Sequence, residues 1–277
     1  MELSVIILNY KTPRETYECA LSCLKESSNI KLEIIIVDNG SDDNSWEYLN
    51  HKLNKSNNVI LIRNPKNFGF SKGVNVGLIK AAGKYKYLLN SDTRIPKGIF
   101  LQLINYTKTH PDVGIVGSKL ILPDGSIQKS CYNLPMLKNA VSEFWMGKKH
   151  AFSGFAPLSE NPTAVEAVVG ASFFISPQVY EKVGLFEERY FMYYEDLDYC
   201  RKVLKGGYKI IYHPGITVFH HHGLSGKKFS DKGLPNEKLI ASSKIYHGIL
   251  KHYLINFVLW SGQAIRSIIN NNEKQVR

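Results

Sequence analysis

Val5-Ile6-Ile7-Leu8-Asn9-Tyr10-Lys11-Thr12-Pro13 decides the fold. Its first part is an unbroken apolar run of strand length, the pattern of a parallel strand buried on both faces. Asn9 and Tyr10 then turn polar, and Thr12-Pro13 offers a helix start. The helix follows over Arg14 to Lys25, with Tyr17, Ala20, Leu21 and Leu24 at helical spacing. The same unit recurs downstream. Leu32 to Val37 is a second buried strand, closed by Asp38-Asn39-Gly40-Ser41, with Asp43 or Asn44 able to cap a helix through Trp46 to Leu53. Val59 to Arg63 makes a third strand, and Ser71 to Ala82 a helix for which Gly83 is the expected C-cap. Tyr85 to Leu89 is the fourth, stopping at Asn90-Ser91-Asp92. Connections this short predict an α/β fold: a doubly wound, mostly parallel, Rossmann-like sheet with right-handed crossovers. In such sheets a ligand lies beyond the carboxyl ends of the strands, where Asn9, Tyr10, Asp38, Asn39, Asn90 and Asp92 all fall.

The second half is less regular. Pro96 to His110 reads as a helix, and Val113 to Leu122 and Gly125 to Lys129 as strands meeting in a hairpin-type turn at Pro123-Asp124-Gly125. Residues 131 to 163 carry exposed aromatics without periodicity, the signature of a functional loop or lid. Val165 to Ile175 reads as one strand, Pro177 to Val183 and Glu195 to Lys205 as helices, and Tyr208 to Tyr212 and Ile216 to Phe219 as strands. Asn236 to Ile269 is a long helical pattern in which Ile245, Ile249, Tyr253, Phe257 and Trp260 recur at three- or four-residue spacing between basic residues. Two readings stand open for it: packing on the domain or a dimer partner, or lying on an anionic membrane. The expected organisation is one domain over 1–235, divided into a nucleotide-binding half (1–95) and an acceptor and catalytic half (96–235), with an amphipathic helical extension over 236–277.

The 277 residues fit one large domain or two intimate ones, and 44% hydrophobic with 21% charged residues excludes a disordered chain, a coiled coil or a collagen-like repeat. A net charge of +11 gives the surface positive potential, suited to nucleic acid, an anionic membrane face or phosphorylated small molecules. Four cysteines, of which only Cys19 and Cys23 are close, form neither a disulfide scaffold nor a zinc pattern, so all are expected as reduced thiols. The first residues lead straight into a strand and no apolar stretch reaches membrane-spanning length, so a signal peptide and a transmembrane helix are not expected.

Carboxylates carry the chemistry. Asp38 suits hydrogen bonds from a base or a ribose, or simply caps a turn. Asp92, two residues after Asn90, suits a hard divalent cation that bridges a diphosphate, with helix capping as the plain alternative. Glu195-Asp196 follows the aromatic run Tyr190-Phe191-Met192-Tyr193-Tyr194, and apolar surroundings raise a carboxylate's proton affinity, as a general base requires. Asp198 reads as a helix cap. Of His220-His221-His222 one at most can serve a metal, because neighbours on a strand point to opposite faces. Asn67-Phe68-Gly69-Phe70-Ser71-Lys72-Gly73-Val74-Asn75 opens a helix whose amides, with Lys72, suit an anion. Walker A, GxGxxG, GxSxG and HExxH motifs are absent.

In order along the chain, Val5–Tyr10, Val37–Ser41, Asn67–Phe70 with Asn75, Leu88–Asp92, Gly170–Ile175, Phe191–Asp198 and Val218–His221 resemble the family 2 glycosyltransferases of the GT-A fold, in the bacterial rhamnosyltransferase-like branch. The match runs from Ser4 to about Ser225. The resemblance implies a GT-A-type fold and an inverting transfer from a nucleotide-diphosphate sugar, dTDP-rhamnose first and UDP-hexoses next, to a saccharide or lipid-linked saccharide of a surface polysaccharide. It implies Asp196 as catalytic base with Glu195 positioning the acceptor. Asn9, Tyr10, Asp38, Asn39, Asn67, Gly69, Lys72, Asn75, Asn90, Ser91 and Asp92 are implied on the nucleotide sugar, and Asp92 with His220 on a divalent metal, Mn²⁺ or Mg²⁺. Asn90 stands where a full DxD motif has its first aspartate. No nucleic acid partner is implied. The expected place is the cytoplasm, with the charge and the C-terminal helix fitting peripheral attachment to the inner membrane face. Two other readings are weighed. A sugar-nucleotide pyrophosphorylase needs a glycine-rich basic loop where Asn9–Pro13 stands, and an inactive nucleotide-sugar-binding scaffold subunit does not need Asp38, Asp92 and Asp196 intact.

Overall fold

The computed structural model describes residues 1–26, 30–221 and 234–275; His222 and the end of the matched stretch lie outside them. The apolar runs become β1 (Leu3–Asn9), β2 (Leu32–Asp38), β3 (Val59–Arg63) and β4 (Tyr85–Asn90), joined by α1 (Pro13–Leu24), α2 (Ser45–Leu53) and α3 (Phe70–Lys80). Next come β5 (Thr93–Arg94), α4 (Ile99–Thr109), β6 (Val113–Ile121), β7 (Cys131–Tyr132) and α5 (Leu137–Phe144). Three short strands follow, β8 (Thr163–Val165), β9 (Ala167–Val168) and β10 (Ser172–Ile175), then α6 (Pro177–Val183) and α7 (Glu195–Lys205). The chain finishes with β11 (Lys209–His220), α8 (Leu234–His247) and α9 (Ile249–Gln275).

The main sheet runs β3-β2-β1-β4-β10-β6-β11-β5, with β8 also on β11. Its first four strands are parallel, as are β6 and β11, whereas β10 is antiparallel to both neighbours. The result is the expected α/β sheet. Alternation along β1 shows how it becomes three layers. Leu3, Val5 and Ile7 pack with Cys19, Ala20, Leu49 and Phe100 on one face, while Ile6 packs with Val74, Leu78, Val179 and Val203 on the other. Each such side chain withdrawn from water contributes about 1.5–3 kcal/mol. All four cysteines are buried free thiols.

Several expectations need correction. Helix α3 ends at Lys80, and Gly83 does not cap it. A Cβ on Gly83 would meet the Ser4 backbone nitrogen at 2.3 Å, so glycine is required there because the turn passes against β1. Beyond β6 the turn at Gly125 forms, but residues 125–129 make only an isolated bridge between Ile121 and Ile127. The stretch 165–175 is divided among β8, β9 and β10, which lie in three different places. β11 passes through Pro214 without stopping, with a register shift between His213 and Thr217 that accommodates the missing N–H. The stretch 131–163 contains α5, and of its aromatics only Trp145 is exposed; Tyr132, Phe144, Phe152 and Phe155 are half-buried. The helical pattern over 236–269 is two helices, broken at Gly248 with φ 78°.

Candidate active site

At the carboxyl ends of β1 and β2, Asn9 and Asp38 are cross-strand partners, and Asn9 Nδ2 donates to Asp38 Oδ1 at 2.7 Å. The Ser41 hydroxyl donates to the same oxygen at 2.6 Å. Thr16 Oγ1 donates to Asn9 Oδ1 at 2.8 Å, so both side chains are buried and held from several sides. Asn39 ties down the next loop: its amide donates to Asn67 Oδ1 and the Gly69 carbonyl, both at 3.0 Å, and its oxygen accepts from Asn64 and the Phe68 amide. Asn67 in turn accepts from the Gly69 N–H at 2.8 Å. Ser91, after β4, meets the Thr12 hydroxyl at 3.0 Å.

Gly69 joins this wall to the one opposite. Its φ of 83° and ψ of 179° lie in a region open essentially to glycine alone, and a Cβ would strike the Phe191 carbonyl at 2.3 Å. That approach lets the Phe70 N–H donate to Phe191 O at 2.6 Å. The segment 191–196 then turns sharply into α7. Tyr193 and Tyr194 both adopt left-handed backbone, φ 72° and 68°, which is strained for side chains of this size. The turn delivers Glu195 and Asp196 to the cleft at the start of α7. Asp196 accepts from the Leu197 N–H at 2.8 Å and the Gly170 N–H at 3.2 Å. Burial raises its proton affinity from the ordinary aspartate value, and those two amides oppose the rise without cancelling it. Glu195 is pushed further up, by burial first and by the Asp196 charge second, and its Oε2 has no hydrogen-bond partner among the described residues. Asp198 is a structural anchor, buried against Arg201 and Lys202.

The far end of the cleft is closed by β5 on β11. Their pairing sets His220 opposite Thr93 and brings His220 Nε2 to 3.2 Å from Asp92 Oδ1. Gln128 Oε1 lies 2.7 Å from His220 Nδ1 and orients the ring. These walls enclose about 450 Å³, lined by Tyr10, Asn39, Asn67, Gly69, Asn90, Ser91, Asp92, Glu195, Asp196 and His220 among the expected residues. The remaining expected residues stand outside it. Asn9 and Asp38 sit behind the wall. Asn75 spends its amide on Phe186 and Glu188, and Lys72 lies 3.6 Å from Glu188 and over the Phe68 ring at 5.0 Å. With the Gly69 and Phe70 amides also committed to protein acceptors, the start of α3 has less to offer an anion than its sequence suggested.

The cleft also takes residues not singled out beforehand. Gln128 has no motif around it; its backbone is placed by the bond from its N–H to Leu120 O at 2.9 Å. Tyr132 comes from the two-residue strand β7 and Val169 from the irregular segment after β9. Behind the strained turn, Ser242 of α8 donates to Met192 O at 2.8 Å, and Tyr246 lies 5.3 Å from the Tyr194 ring and 4.1 Å from the Arg201 guanidinium. The C-terminal extension thus directly supports the wall that carries Glu195 and Asp196.

A glycosyl transferase family 2 model matches residues 4–135, just under half of the chain but including Asp38 and Asp92. Its similarity extends further to named relatives. The N-acetylglucosaminyl-diphospho-decaprenol L-rhamnosyltransferase of Mycobacterium tuberculosis is 26% identical over 243 residues, covering 79% of this chain and 76% of that protein. The dTDP-rhamnosyl transferase RfbF of Shigella flexneri is 25% identical, covering 83% and 72%. The chain is similar to the family 2 glycosyltransferases. This glycosyltransferase also matches an uncharacterised Sinorhizobium fredii protein, 27% identical over 197 residues, of whose length it spans only 21%. Among solved structures, the mannosyltransferase of Pyrobaculum calidifontis in complex with GDP-Man and Mn²⁺ superposes with a TM-score of 0.62 at 16% identity, over 95% of this chain and 73% of that one, a likeness of fold. The GT-A architecture expected for a family 2 glycosyltransferase is therefore present.

Asp92 and His220 fit a divalent cation. Donor atoms 3.2 Å apart can both sit about 2.1 Å from one ion, close to the right angle of octahedral coordination. Among the described residues no group of three metal-ligating side chains converges, so such an ion would need further oxygens from its substrate or water.

Proposed function

We propose that this chain is an inverting glycosyltransferase that uses a divalent cation, Mn²⁺ or Mg²⁺, and transfers rhamnose from dTDP-rhamnose, with UDP-hexoses as the next donors. Its acceptor is a saccharide or lipid-linked saccharide of a surface polysaccharide. Residues 1–235 form the catalytic domain, at work in the cytoplasm. One observation carries this reading: a carboxylate of raised proton affinity, Asp196, faces the same cleft as the Asp92–His220 pair. The similarity to two rhamnosyltransferases supports the donor sugar, and that to the dTDP-rhamnosyl transferase RfbF its nucleotide.

Asp196 takes the proton of an acceptor hydroxyl as that oxygen attacks the anomeric carbon. The bond from the anomeric carbon to the diphosphate oxygen breaks, and the departing diphosphate keeps the electron pair. A single attack from the opposite face inverts the anomeric configuration. Asp92 and His220 would hold the cation, which would supply positive charge for the departing diphosphate. Asp38, buried behind the cleft wall with Oδ1 on Asn9 and Ser41 and Oδ2 accepting from the Ser41 N–H at 3.4 Å, holds the strand ends against which the ribose or base lies. Asn39 and Asn67, already cross-linked, fix the wall against which the nucleotide lies. Glu195 positions the acceptor hydroxyl for Asp196.

The test is release of nucleoside diphosphate from dTDP-rhamnose, UDP-hexoses and GDP-mannose, with a saccharide-lipid acceptor, before and after chelation. The expected result is turnover of dTDP-rhamnose that chelation abolishes and Mn²⁺ or Mg²⁺ restores. Tight nucleotide-sugar binding without turnover under any condition would favour the inactive scaffold subunit instead.

A further inference from the structure

The two sequence readings of the C-terminal helix both describe α9, on opposite faces. Ile255 and Val258 are buried against Ala140 of α5, and the Arg266 guanidinium lies over the Phe144 ring at 5.5 Å and donates to Glu143 O. The other face is bare. Leu250 is 73% exposed, Phe257 55% and Trp260 67%, with Ile249 and Tyr253 on the same side. From Ile249 to Ser267 this helix carries no acidic residue. Helix α5 extends the bare face at its C-terminal end. The Trp145 ring lies 6.4 Å from that of Phe257, Trp145 Nε1 donates to Ser261 Oγ at 2.9 Å, and Met146 beside it is 75% exposed.

Immediately next to this ridge is a basic cavity of about 410 Å³. Lys138 and Ser142 of α5 line it with Lys148, Lys149 and His150 of the following loop. Asn133 Nδ2 donates to the His150 carbonyl at 3.0 Å, and His150 adopts left-handed backbone, φ 61°. Among the described residues none of the three lysines forms an ion pair. One carboxylate, Glu166, lines the cavity, and it accepts from the Leu134 N–H at 2.6 Å. Between Asp124 and Glu160 the only acidic residue is Glu143, which is buried.

We infer that the bare ridge of α9 with Trp145 and Met146, together with the lysine cavity beside it, is one docking surface for an anionic lipid bilayer. Aromatic and aliphatic side chains enter the headgroup and acyl boundary, and the lysines meet headgroup phosphates. The charge distribution favours a bilayer over a second copy of the chain: two copies would bring these unpaired lysines together on a molecule already at +11. No helix among the described residues is long and apolar enough to cross a membrane, so the contact is one of lying on the surface. Because α8, just before α9, holds the catalytic turn through Ser242 and Tyr246, the docked surface is mechanically continuous with the cleft.

Two of the three tryptophans, Trp145 and Trp260, lie on this surface, and Trp46 is on α2, so a Trp46→Phe chain reports docking by fluorescence. Vesicles of phosphatidylcholine alone, and of phosphatidylcholine with phosphatidylglycerol, are titrated and co-sedimented with the full chain. The expected result is a blue-shifted emission, and co-sedimentation, with the anionic vesicles only. Lys148→Ala with Lys149→Ala lowers binding about 30-fold, which corresponds to about 1 kcal/mol per lysine. Phe257→Glu abolishes binding while leaving the circular-dichroism melt unchanged, as an exposed position allows. Quenching of the Trp46→Phe chain by bromine-labelled lipid provides a readout that needs no ridge variant. Absence of binding and quenching with anionic vesicles would overturn the inference. So would a dimer in sedimentation that Phe257→Glu converts to monomer, which would make a second copy the occupant. These readouts are independent of glycosyl transfer.

Discussion

The two walls of the cleft are built on opposite principles. On the strand-end wall, Asn9, Asp38, Asn39 and Asn67 are cross-linked by short side-chain bonds between 2.6 and 3.0 Å, and the wall is rigid before any ligand arrives. On the opposite wall, two consecutive left-handed tyrosines, a buried Glu195 and a half-buried Asp196 of raised proton affinity, and a Glu195 oxygen with no partner among the described residues are held in place by Gly69, Gly170 and α8. Strain and unsatisfied charge collect where the chemistry is proposed, and satisfied polar networks where the nucleotide is proposed to lie. A preorganised wall costs little reorganisation on binding, and a carboxylate out of water is a stronger base.

Substitutions can break this contrast, and the largest effect belongs to Asp196. Asp196→Asn lowers kcat about 10²–10⁴-fold, the usual worth of a general base, while dTDP binding measured by calorimetry stays as in the wild type. In the wild-type chain the acid limb of kcat/KM is shifted up from the ordinary aspartate value, because the base is active only when deprotonated and its proton affinity is raised. A limb near pH 4, the value for an unperturbed carboxylate, would contradict the assignment.

Gly69→Ala comes next. Forcing a Cβ into that backbone region costs about 1–3 kcal/mol, read as a shift in the urea midpoint, and it pushes Phe191 and the turn behind it away from the cleft. Turnover therefore falls more than nucleotide affinity does. Ser242→Ala removes the bond to Met192 O for about 1 kcal/mol and should lower kcat slightly with KM for the donor unchanged. Equal losses in kcat and nucleotide affinity would show that α8 supports the whole fold rather than the turn.

Glu195→Gln sharpens the comparison through stability. A carboxylate whose affinity for protons is higher folded than unfolded loses stability as pH rises from its unfolded pKa through its folded one. The glutamine variant lacks that loss. Its melting temperature relative to wild type should climb across that window and level off above it. A difference independent of pH would mean that Glu195 is not held in a desolvated site.

Legibility in the sequence follows the same division. Strands β1 to β4 were visible because each is a short apolar run closed by polar residues, and α6 and α7 begin and end where their residues predict. The stretch 165–175 misled because strands buried on both faces leave no period, so a chain that changes partners at Glu166 and again around Gly170 looks like one run. Helix α5 was hidden because its apolar face is completed only by α9, more than a hundred residues away. At the site, Asp38, Asp92 and Glu195-Asp196 announced themselves by position after apolar or aromatic runs. The approach of His220 to Asp92 depends on β5 pairing with β11, and Gln128 on a single bridge after a turn, neither of which local pattern encodes.

The most direct test of the account is the melting temperature with dTDP, UDP and GDP, each with and without Mn²⁺, for the wild type, Asp92→Ala and Asp196→Asn. A ligand at one hundred times its Kd stabilises the folded state by about 2.7 kcal/mol. The account predicts a Mn²⁺-dependent rise with dTDP in the wild type, the same rise in Asp196→Asn, and none in Asp92→Ala. An undiminished metal-dependent rise in Asp92→Ala, or no rise with any nucleotide in the wild type, would contradict it.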